Sequence, residues 1–128
     1  PRAMAMQRVA GIRMESGDAD GAEQLAIEGL ALCREAGDKR TEVQICIVLM
    51  QAYLSQLQLL QDGQDTLETS SEAATVHWKA TDTAETAVTV AEQYLVEDKG
   101  LRASASFWCA NVLSWASEPE ATLERLAR

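Results

Sequence analysis

The sequence predicts an all-α protein in which antiparallel helix pairs stack in a row as a short α-solenoid, and three observations carry that expectation. The first is a near-repeat. Arg34-Glu35-Ala36-Gly37-Asp38-Lys39 and Val96-Glu97-Asp98-Lys99-Gly100 each close an Ala-rich amphipathic run and open a second apolar run. The second is composition: 47% hydrophobic residues but only 5% aromatic, with two prolines, a balance that favours close-packed helices over sheet. The third is spacing, because apolar residues recur at three- and four-residue intervals through most of the chain. At 128 residues the chain is expected to be one domain or a piece of one, long enough for a modest core.

The first helix is expected over about 3–15, with Met6, Val9, Ala10 and Met14 on one side. Ser16-Gly17-Asp18 ends it, and Asp18 or Asp20 caps the next by accepting from unpaired amides. The second helix, about 20–36, buries Ala22, Leu25, Ala26, Gly29, Leu30 and Cys33, and Gly37 stops it. A mid-helix glycine costs roughly 1 kcal/mol against alanine, so Gly29 implies another helix close by. The third helix, about 40–61, is the most apolar. Val43, Ile47, Met50, Leu54 and Leu57 form one seam and Cys46, Leu49, Tyr53 and Leu60 another, which leaves Gln44, Gln51, Ser55 and Gln58 as a narrow polar stripe. A helix apolar on two sides packs on two sides. Ile45, Ile47 and Val48 raise a short-strand alternative, outweighed by the long flanking periodicity.

Asp62-Gly63 reads as a turn. The Ser/Thr-rich stretch 65–80 has a thin stripe of Leu67, Ala74 and Trp78 and is read as an additional helix, with a long loop beside a degraded helix as the alternative. Thr81-Asp82 reads as a cap for a helix ending at Glu97, with Ala84, Ala87, Val88, Ala91 and Leu95 inward. After Asp98-Lys99-Gly100 a helix over 101–116 presents Leu101, Trp108, Val112 and Trp115, with Phe107, Ala110 and Leu113 beside them. Ser117-Glu118-Pro119 breaks the chain, and Pro119 suits the first position of a final helix. The total is six to seven helices.

Net charge is −9, and its distribution is uneven. Residues 62–98 hold nine acids (Asp62, Asp65, Glu68, Glu72, Asp82, Glu85, Glu92, Glu97, Asp98) against Lys79 alone. A broad basic face for nucleic acid is therefore excluded. The acidic window is read either as solvated helix faces or as a surface for a basic protein partner. The three cysteines, Cys33, Cys46 and Cys109, form no Cys-x-x-Cys pair and sit in apolar runs. They read as buried free thiols in a reducing intracellular compartment, cytoplasmic or organellar. No apolar run is read as approaching the ~20 residues of a membrane span. Pro1–Met6 form no signal peptide, and a start at Pro rather than Met reads as a processed product or a fragment of a longer chain.

At the level of motif the chain resembles the tetratricopeptide repeat family, in its longer-period form whose second helix ends in Arg-Glu-x-Gly-Asp-Lys. The first-helix pattern is similar to Met6-Val9-Ala10-Arg13, to Cys46-Leu49-Met50-Tyr53 and to Ser106-Cys109-Ala110-Leu113. The small second-helix positions resemble Ala22 and Gly29, then Ala84 and Ala91. Corresponding positions Met6, Cys46 and Ser106 lie 40 and then 60 residues apart. The extra twenty, about one helix plus a turn, coincide with 62–81. The resemblance implies about three repeats and a groove, lined by first helices, that binds other proteins. Its candidate contacts are Gln44, Gln51, Tyr53, Ser55, Trp108, Asn111 and Trp115. The one asparagine and the scarcity of lysine in the first helices do not support the family's clamp for a C-terminal carboxylate.

Chemistry is not signalled. His77 is the sole histidine, lacks nearby metal-ligating partners, and makes neither a zinc site nor a triad. Acids such as Asp65, Glu68, Glu72, Glu85 and Glu92 are read as an acidic surface rather than a catalytic pair. The expectation is a non-enzyme without cofactor or metal. It is either an adaptor for other proteins or an architectural subunit embedded in a larger, possibly organellar, assembly.

Overall fold

Three aspartates start three of the helices. Asp18 accepts from the Gly21 amide at 3.0 Å, and Asp98 from the Leu101 amide at 3.1 Å. Asp38 accepts from both the amide and the hydroxyl of Thr41, at 3.1 and 2.7 Å. Each satisfies a donor that the helix start leaves orphaned. Gly17 and Gly37 precede two of them with φ of 87° and 73°. That left-handed turn, costly for residues with a Cβ, stops one helix directly before the next begins.

The computed structural model describes residues 2–62 and 67–116, with side chains for 4–61 and 71–115. It has five helices and no strand among the described residues: α1 (Arg2–Glu15), α2 (Ala19–Ala36), α3 (Lys39–Asp62), α4 (Leu67–Tyr94) and α5 (Lys99–Ala116). The all-α expectation is met, and the strand alternative at 45–48 is not realised. The turn at Gly63 and the final helix expected from Pro119 lie outside the described residues.

Consecutive helices pack on each other, and α3 also touches α1 and α5. The core forms around α3. Val43, Ile45, Cys46, Leu49, Met50 and Tyr53 meet Ala26 and Cys33 of α2, Ala80, Ala84, Ala87 and Ala91 of α4, and Ala105 and Val112 of α5. A smaller cluster joins Ala10, Ala22, Val48 and Ala52. Large side chains on α3 thus face small-residue seams on α2 (Ala19, Ala22, Ala26, Gly29, Cys33) and α4. Small residues let the helices approach closely, while each large side chain that becomes buried contributes about 1.5–3 kcal/mol.

Three expectations are corrected. The two helices expected across 65–97 are one continuous α4, and Thr81-Asp82 lies inside it. Thr81 and Thr86 donate their hydroxyls to the carbonyls of His77 and Asp82, four residues back, at 2.9 and 3.0 Å. The Thr81 hydroxyl that could have capped a new helix is occupied within this one, and the alanine seam runs unbroken past it. Trp78 and Ala74, expected inward, are exposed; Trp78 retains 70% of its surface. Finally, Lys39–Gln61 is long and apolar enough, by length and composition, to cross a membrane. The Gln residues that interrupt its apolar positions mask this in the sequence; in the fold it is the central helix, packed on several sides.

Candidate interaction surface

Being central, α3 has one stripe that its neighbours leave uncovered. Gln44, Ile47, Gln51, Leu54 and Ser55 are half-buried, Gln58 and Arg40 are exposed, and the intervening residues are largely buried. The spacing of four and three marks a single helical face. Beside it, between α3 and α5, lies a groove of about 420 Å³ lined by Leu54, Gln58, Asn111, Ser114 and Trp115. Of the residues expected as groove contacts from the sequence, Asn111 and Trp115 line this groove and Gln51 lies on the stripe beside it. Gln44 and Ser55 extend the stripe. Trp108 is half-buried and packed against the core, with Phe107 edge-on to its ring at a centroid distance of 5.4 Å.

Tyr53 does not belong to this surface, which corrects its assignment as a contact. It is buried. Burial first, and then the Glu23 carboxylate beside it, raise its pKa well above the ordinary phenol value. Glu23 is the hub of a polar cluster on the opposite side of α3. Gln56 donates to it at 2.8 Å and to Asp20 at 3.2 Å, and Lys79 of α4 lies 3.9 Å away. A second groove of about 490 Å³ opens there, between Asp20, Gln56, Leu59, Glu72, Val76 and Lys79.

Three acids of α4, Asp82, Glu85 and Glu92, form a separate face, while Glu72 stands at the second groove. Glu72, Glu85 and Glu92 are exposed, and Asp82 and Glu85 line a shallow depression with Thr86, Thr89 and Val90. Asp65 lies outside the described residues, as does the side chain of Glu68. Trp78, Asp82, Glu85 and Glu92 share one solvent-facing stripe at helical spacing, so the exposed tryptophan stands beside carboxylates.

The reactive side chains are placed structurally. Cys33 and Cys46 are buried and Cys109 half-buried, all three as free thiols. Burial, with Glu42 nearby, pushes the Cys46 thiol up to about 12. His77 is half-buried, with Nε2 3.4 Å from the Val112 carbonyl of α5, where it ties two helices together. Among the described residues no group of three His, Cys, Asp or Glu side chains gathers as a metal-ligand set. Sequence reasoning misses Glu42, a buried carboxylate in the first turn of α3. Its partners are Arg34 at 3.4 Å and Lys39 at 3.5 Å, and Lys39 also sits 4.9 Å above the Tyr94 ring. The available signal was a Glu placed within an otherwise apolar run and flanked by cations.

No protein-family model, curated protein or solved structure matches the chain.

Proposed function

We propose that this chain is a non-catalytic protein–protein interaction scaffold, built as a short tetratricopeptide-like α-solenoid. One observation carries the reading: α1, α3 and α5 touch as alternate helices, α2 and α4 pack between them in sequence, and a groove opens between α3 and α5. That order is what stacked helix pairs require, since each pair buries its apolar face against the next. The exposed acids Asp82, Glu85 and Glu92 of α4 suit a partner with a basic surface, attracted at long range and seated on the partly covered stripe of α3.

The test uses the full chain. In size-exclusion chromatography a well-folded monomer is expected, and affinity purification should recover a protein that Leu54→Asp with Trp115→Ala no longer retains. A partner held equally by wild type and variant counts against the stripe as the contact surface.

A second reading, an architectural subunit of a larger assembly, is favoured by the apolar side chains left in solvent. Trp78, Leu59, Ile12 and Phe107 are 70%, 64%, 63% and 61% exposed. Aggregation or unfolding of the isolated chain favours this alternative.

A further inference from the structure

We draw no further inference here: the strongest candidate, the groove between α2, α3 and α4 in which Asp20 and Glu72 stand beside Leu59 and Val76, carries nothing, because Asp20 is already paired with Gln56 within the fold and nothing in the structure shows what covers it.

Discussion

Asp98 joins two helix starts: its Oδ1 accepts from the Leu101 amide at 3.1 Å while its Oδ2 lies 3.3 Å from Nη1 of Arg40. The first contact begins α5, and the second holds the first turn of α3 against it. With Lys39 over the Tyr94 ring, the turn between α2 and α3 is pinned to the turn between α4 and α5. The two copies of the near-repeat noticed in the sequence are therefore neighbours in space.

The two duties of Asp98 separate by substitution. Asp98→Ala is expected to destabilise the protein by about 1–2 kcal/mol through loss of the cap. Asp98→Asn keeps a capping oxygen and loses only an exposed ion pair, so it should cost under about 1 kcal/mol. Urea denaturation checks both, and equal losses would mean that the ion pair rather than the cap is the larger contribution.

Glycine position decides the sign of a glycine-to-alanine change. Gly37, at φ 73°, should lose about 1–2 kcal/mol as Gly37→Ala, the cost of a left-handed L-residue. Gly11 lies within α1 with open space where a methyl group would project, so Gly11→Ala should stabilise by roughly 0.5–1 kcal/mol. Thermal melts in opposite directions are the expected result.

The buried Glu42 is stable only while its cations remain. It is 3% exposed, its Oε1 accepts no hydrogen bond, and Arg34 and Lys39 neutralise it. Arg34→Ala with Lys39→Ala strands that carboxylate and should cost about 2–3 kcal/mol, below the usual buried-pair figure because both cations are partly solvated. Adding Glu42→Met to the pair should restore most of the loss. Chemical denaturation of the double and triple variants tests this, and no recovery in the triple variant contradicts the assignment.

Acid should weaken the caps. The Gly21 amide, then Arg13, hold Asp18 below the ordinary carboxylate range, and the Thr41 hydroxyl and amide do the same for Asp38. A depressed folded pKa contributes stability above the unfolded value and loses it as pH falls through the folded one. Denaturation midpoints should therefore be insensitive to these groups near neutrality and decline below about pH 4. Asp38→Asn should make that decline shallower.

Thiol labelling should rank the cysteines by burial. All three thiols are pushed upward chiefly by desolvation, but Cys109 alone is only half-buried. Iodoacetamide on the native chain, read by mass spectrometry, should modify Cys109 first and reach Cys33 and Cys46 only on denaturation.

The starts of α2, α3 and α5 were legible to within two residues because turns and caps are local, although of the three capping aspartates only Asp18 was read as one, with Asp20 as its alternative. The seams of α2 and the inner alanines of α4 were legible because burial repeats at helical spacing. Two readings failed where local signals were ambiguous. Thr81-Asp82 suits both a cap and a helix interior, and only packing on α3 chose the interior. Tyr53 sits among polar-stripe residues in sequence, yet its register turns it toward Glu23, a residue thirty positions earlier. The groove residues were only partly legible, since a groove is made by which helices come side by side.

What the chain fixed on its own is its helical class, the turns before α2, α3 and α5, and its concentration of acids, all consequences of interactions within a few residues. Only the tertiary structure decided that α3 is central, that Trp78 faces solvent, that Glu42 is buried between two cations, and that neutral amides share one uncovered face. Those outcomes depend on which surfaces the helices remove from water together, and burial is a property of the assembled pairs rather than of any segment.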